Sequence, residues 1–325
     1  MSLRLMKIAS FIRIRPFIGK EVGGKREYQV LEDAVDFQDS LVGHLPCSCV
    51  FDLSSTQASI FKAVAAPLID ASLLEDKMPV LFVAGPASSG KSFTIEGNPD
   101  ENCAAGLIYT ALKYVLSNSP DKLGLAALAV SPVLKVIDLL ALSFDPVPVT
   151  VPVDPILTPS VRYDCFLRPV LQLADSVDLI KLGSRQLRRL QRKGIWNALW
   201  IIEYEIKGFR GRLSVAEINV FPCSLRVDLH LKTSLEKVIA GLRHYDYVKD
   251  EEIVIDPLLQ LLRDCFKAGT GLMSFILCLS EGTKVQDFQM AETLVKQMFG
   301  VVESALERSK RLLASKDLVP SVFSM

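Results

Sequence analysis

The residues best suited to chemistry are Gly85-Pro86-Ala87-Ser88-Ser89-Gly90-Lys91-Ser92, which satisfy GxxxxGK[ST] in full. In a turn of this kind the backbone N–H groups surround a β-phosphate, and the helix that follows aims its positive end at the same point. Lys91 is suited to neutralise β and γ oxygens, and Ser92 to ligate Mg²⁺. That chemistry needs a strand before the turn and a helix after it. The apolar run at 80–84, Val-Leu-Phe-Val-Ala, supplies the strand.

The rest of the chain alternates short β-branched runs with longer amphipathic ones: 80–84 then 105–116, and 198–206 then 229–243. This alternation predicts an α/β fold with a largely buried sheet. With 325 residues, half of them apolar and 23% charged, the chain can bury a large core. The most apolar stretch, 123–142, is broken by Ser131, Pro132, Lys135 and Asp138, so it reads as a buried strand followed by a helix and not as a membrane span. Five prolines in 144–160 exclude helix and central strand there and predict a surface loop or edge excursion that acts as a spacer. Residues 290–316 form one helical pattern, too short for a stalk and without coiled-coil heptads, so oligomeric state is left open.

Lys plus Arg equals Asp plus Glu at 37 each, so no global field draws the chain to nucleic acid or anionic lipid. Seven cysteines scattered among apolar runs, without a secretory h-region, read as reduced core thiols of an intracellular protein. His44, His230 and His244 lie far apart, without zinc spacing.

Beyond Ser92, the continuation Phe93-Thr94-Ile95-Glu96-Gly97 resembles the kinesin motor-domain sequence GK[TS]-[YF]-T-M-x-G. Other segments match in the same order. Arg13-Ile14-Arg15-Pro16 is similar to the RxRP of the first strand. Phe51-Asp52 through Thr56-Gln57, Ile60-Phe61 and Pro67-Leu68 resemble FDxxxTQxxVFxxxxxPL, and Gly106-Leu107-Ile108 resembles GII. Val130-Ser131 with 135–140 is similar to a shortened VSYLEIYNEKVRDLL. Weaker echoes follow at 161–164, 232–242, 258–266 and 272–280, so the resemblance covers about 8–299. It implies a P-loop α/β fold with a central, mostly eight-stranded mixed sheet flanked by helices. A motor domain at 1–300 would precede a C-terminal extension at 301–325. The implied cofactors are ATP or ADP with Mg²⁺, bound by Gly85, Pro86, Ala87, Ser88, Ser89, Gly90, Lys91, Ser92 and Phe93, with Arg13, Arg15 and Pro16 framing the adenine. The implied partner is the microtubule, and the implied location is cytoplasmic and cytoskeleton-associated.

Two further loops of the family sense the γ-phosphate, and both depart from pattern. Where NxxSSRSH should stand, the chain reads Lys193-Gly194-Ile195-Trp196-Asn197-Ala198; where DLAGSE should stand, it reads Glu217-Ile218-Asn219-Val220-Phe221-Pro222. Val220 keeps its backbone farther from a phosphate than glycine would. Pro222 lacks the carboxylate that pairs with the missing arginine. Glu217 remains the one candidate catalytic carboxylate, reaching Mg²⁺ through water. Without water-positioning groups phosphoryl transfer loses most of its catalysis, so slow or absent hydrolysis is expected. The loop at 247–257 is acidic and should repel acidic tubulin.

Arg185, Arg188, Arg189 and Arg192 recur at i, i+3, i+4 and i+7 and share one helical face with Lys193 beside them. Besides a nucleotide-binding pseudo-motor, two other readings stand: a working microtubule-stimulated ATPase with substituted residues, and a nucleotide-independent scaffold that docks proteins through this basic helix or through a hydrophobic surface near Trp196 and Trp200.

Overall fold

A computed structural model describes residues 8–17, 26, 28–37, 44–74, 77–98, 104–131, 135–141, 146–147, 166–194, 196–219, 258, 261–262, 265 and 271–283. The chain begins with β1 (Ile8–Arg15), β2 (Tyr28–Val30), β3 (Ala34–Phe37), β4 (His44–Pro46) and β5 (Cys49–Phe51). Thr56 caps α1 (Gln57–Ile60) by accepting from Ser59 N at 3.1 Å; a π-helical turn, Phe61–Ala65, carries the chain into α2 (Ala66–Leu74). Next come β6 (Met78–Gly85), α3 (Lys91–Ile95), α4 (Leu107–Ser117), β7 (Lys122–Val130), β8 (Val136–Asp138), β9 (Pro146–Val147) and β10 (Arg168–Pro169). The long helix α5 (Leu173–Gln191) leads to β11 (Asn197–Ile206), β12 (Phe209–Asn219) and β13 (Gly271–Ser280).

Among the described residues one ten-stranded sheet runs β5-β1-β13-β6-β12-β11-β7-β8-β9, with β10 also on β7. Setting aside the two-residue strands β9 and β10 leaves eight, the number expected. β5, β1, β13, β6 and β12 are parallel, and β12, β11, β7, β8 and β9 pair antiparallel, so the sheet is mixed. The expected α/β class holds.

Strand side chains alternate between two cores, and both faces of the sheet are buried, which is why the strands read as near-continuous apolar runs. On β6, Leu81 and Val83 join one core while Val80, Phe82 and Ala84 join the other. The first core lies under α1, α2, α4 and α5. The second is closed by Leu258, Leu261, Leu262 and Cys265 and by Tyr28, Val35 and Leu45 from the small sheet β2-β3-β4.

Three expectations are corrected. The segment after β7 is not a helix: Val136 and Ile137 turn back as β8, pair with Val130 and Ala129 and bury their β-branched side chains on the sheet. Trp200 forms no surface, because it is fully buried in β11 and packs on Gly183 of α5. The thiols are not all core: Cys265 and Cys278 are buried, but Cys47 and Cys49 are half-buried beside the short strand β5. Pro146–Val147, as β9 at the end of the sheet, agrees with an edge excursion. The rest of 144–160, Ile195, Val220 to Pro222, the patterns at 229–243 and 290–316, the acidic loop at 247–257 and the division at 300 lie outside the described residues.

Candidate functional site

Four parallel strands, β1, β13, β6 and β12, deliver their C-terminal ends to one edge of the sheet, where such sheets place their ligands. β6 ends at Gly85, directly opposite Asn219 at the end of β12. β11 runs antiparallel to β12, so its first residue, Asn197, reaches the same edge.

The chain must leave β6 without touching β13. A Cβ on Gly85 would lie 2.3 Å from the Cys278 carbonyl oxygen, so glycine is required. Gly90, with φ +100°, then turns the chain into α3 as its N-cap. Between them lies a cavity of ≈ 770 Å³. Of the residues anticipated from sequence, Arg13, Arg15, Pro16, Ala87, Ser88, Ser89, Gly90, Lys91, Ser92, Phe93 and Glu217 all line it. Gly85 and Pro86 stand behind the lining and shape the loop.

At the floor, the buried Lys91 Nζ donates to the Pro86 carbonyl at 2.7 Å, and Ser92 Oγ donates to Glu217 Oε1 at 3.0 Å. Burial pulls the Lys91 ammonium below its ordinary range, and the neighbouring Glu217 and Cys278 pull it back. Burial also pushes the Glu217 carboxyl up, against the attraction of Lys91 and the hydrogen bond from Ser92. Two buried oxygens at the floor, Glu217 Oε2 and Ser89 Oγ, have no hydrogen-bond partner. An orphaned carboxylate oxygen beside a serine hydroxyl is a hard oxygen donor set, and it fits Mg²⁺.

The outer wall holds Arg15, Pro16, Phe93 and Leu53, with Phe93 46% and Leu53 45% exposed on the cavity. Arg15 Nε donates to the Ser88 carbonyl at 2.5 Å and ties β1 to the loop. Arg13 is occupied differently. It donates to Gln57 Oε1 at 3.0 Å and Thr94 Oγ1 at 2.6 Å, and its guanidinium lies 5.3 Å from the Phe93 ring centroid. Gln57 in turn donates to the Phe93 carbonyl at 2.5 Å. Arg13 therefore braces the helix that carries Phe93.

Opposite the loop, the wall is Gln191, Gly194, Trp196 and Asn219. Asn219 N donates to Asn197 Oδ1 at 3.1 Å, and Asn219 Nδ2 donates to the Trp196 carbonyl at 2.7 Å. These neutral bonds cross-link the two strand ends. Sequence reading missed the clamp, because Asn197 and Asn219 are unremarkable apart and only the β11–β12 register brings them together. Glu96, the C-cap of α3, likewise carries no local signal of its burial. Burial pushes that carboxyl up to about 7, with Glu217 adding to the rise and Ser184 and Arg188 of α5 opposing it.

The whole architecture matches solved structures. The Drosophila kinesin family member NOD in complex with AMPPNP superposes with a TM-score of 0.68 over 93% of this chain and 100% of that one, at 15% identity. The fold is that of a kinesin motor domain. NOD docked with bovine tubulin into a map of the nucleotide-free NOD–microtubule complex gives a TM-score of 0.66 at 18% identity, covering 92% of this chain and 98% of that chain. A fast kinesin gives 0.68 at 18% identity, covering 92% and 90%. At these identities the likeness to kinesin motors is one of fold. No family model matches the chain, and no curated protein matches it. The resemblance read from residues 8–299 is borne out at the level of fold.

Proposed function

We propose that this chain binds ATP or ADP with Mg²⁺ in the cavity at Lys91, attaches to microtubules, and hydrolyses ATP slowly or not at all. The observation that carries the reading is the convergence of Lys91, Ser92 and the orphaned Glu217 oxygen on one floor. Ser92 and Glu217 would hold the metal, which when bound supplies charge neutralisation of the β and γ oxygens. Lys91 exchanges the Pro86 carbonyl for phosphate, and the loop backbone orients it. Phe93, Pro16 and Arg15 give the base an apolar and cationic platform.

The slow-hydrolysis part rests on the opposite wall. Asn197 and Asn219 spend their described hydrogen bonds on each other and on the Trp196 backbone. A clamp of this kind holds the strand ends but offers no hydroxyl to the attacking water. Support for the partner comes from the kinesin fold and from the microtubule-docked NOD structure. A working ATPase is the reading favoured by the intact Lys91 and Ser92.

The test is thermal melting with Mg-ADP and steady-state phosphate release with Mg-ATP, each with and without microtubules, with Lys91→Ala as the blank. Nucleotide at a hundred times its Kd stabilises by about 2.7 kcal/mol in the wild type and not in the variant. Equal melting of the two refutes nucleotide binding. Microtubule-stimulated release above the blank refutes slow hydrolysis, and absence of co-sedimentation with microtubules refutes the attachment.

A further inference from the structure

The C-terminal end of α5 carries a concentration of positive charge that the nucleotide cavity does not use. Arg185, Arg188, Arg189, Arg192 and Lys193 are all exposed. Arg188 faces the buried Glu96. The side chains of Arg185, Arg189, Arg192 and Lys193 have no hydrogen-bond or ion-pair partner among the described residues. The face cannot turn inward, because Ile180, Gly183, Ser184, Leu187 and Leu190 of the same helix are buried against the sheet.

Favourable interaction with the helix dipole accounts for cations in a last turn, but it does not account for their mutual spacing. Arg185 and Arg189, and Arg188 and Arg192 at the C-cap, are each four residues apart, where like charges oppose the helix. An anion laid along this face would relieve both repulsions at once.

We propose that this face docks an acidic peptide segment of a partner protein. Guanidinium forks pair with carboxylates two bonds at a time, and four of the five cations are arginines. From Arg185 to the C-cap Arg192 the helix rises about 10 Å, the length of about three residues of extended chain, so a short Asp/Glu run suffices. Nucleic acid fits less well: the exposed positions of α5 include no aromatic side chain on which a base could stack, and they include Asp178. The patch also abuts the cavity, since Gln191 and Gly194 line it, so the docked segment lies at the rim of the nucleotide site. The surface itself needs no nucleotide.

The experiment is fluorescence anisotropy of a labelled oligoglutamate peptide against the full chain. Saturable binding is expected, weakening about tenfold or more between roughly 50 and 300 mM salt. Charge reversal by R185E/R189E/R192E should weaken it by at least about tenfold, and R185Q/R189Q/R192Q by about fivefold, with the melting temperature of the glutamine variant little changed. If the reversed protein does not fold, the glutamine variant decides. Reversal at the far hairpin, K207E/R210E, should leave binding unchanged. Equal peptide binding by wild type and the arginine variants, no saturable binding by the wild type, or tighter binding of a single-stranded oligonucleotide through the same arginines would each overturn the proposal.

Discussion

The two walls of the cavity are built on different principles. On the β6–α3 side the loop is held by glycine at its entry and exit, and Lys91 and Ser92 meet Glu217 of β12 at a buried floor with unsatisfied oxygens. On the β11–β12 side the strand ends are stitched by neutral bonds between backbone and amide side chain, Asn219 N to Asn197 Oδ1 and Asn219 Nδ2 to the Trp196 carbonyl. The first wall is costly unless a ligand completes it, since a buried polar atom without a partner costs about 1–3 kcal/mol. The second wall is self-sufficient. Groups that stay unpaired are poised to bind, and groups that pair with each other are spent on structure.

Three substitutions sharpen that contrast. The largest effect is expected from Gly85→Ala, whose Cβ has no room against the β13 backbone. It should cost about 4 kcal/mol of stability in urea unfolding and remove any nucleotide-induced thermal shift; retention of both would mean that the loop is not a fixed cradle. Next is Glu96→Gln. The folded chain holds the Glu96 proton up to about 7 against an ordinary 4.5. Stability from this group is therefore complete below pH 4.5 and is lost as pH rises through 7. The glutamine variant should match wild type at pH 3.5 and exceed it by up to about 3 kcal/mol at pH 8. An identical pH dependence for the two proteins would show that Glu96 is not held neutral.

The smallest effect is expected from Asn219→Ala, which removes the Nδ2 hydrogen bond and orphans the Trp196 carbonyl, while the backbone bond to Asn197 remains. It should lower stability by about 1–2 kcal/mol while leaving the Mg-ADP thermal shift intact. Loss of that shift would join the two walls into one functional unit and undo the distinction drawn between them.

Much of the retained wall was legible in the sequence because it is local: strand, glycine turn, lysine and serine lie within 80–92, where spacing alone sets their relation. The buried sheet was legible from its apolar runs. The β8 turn was misread because an apolar segment of its length suits helix and strand alike, and its pairing with β7 decided the matter. Trp200 was misread because burial depends on what packs over a strand, here Gly183 from a distant helix. Arg13 was anticipated at the adenine, but its partners Gln57 and Thr94 come from two other elements.

The sequence by itself determined the phosphate loop, the α/β alternation, the charge balance and the cationic face of α5, since each depends on residue types at short and fixed separations. The tertiary structure alone decided that Glu217 reaches Ser92 across 125 residues, that Asn219 clamps Asn197, and that burial pushes the Glu96 carboxyl up to about 7. Those outcomes follow from strand register and burial, which are set by long-range packing and desolvation and leave no local mark on the chain.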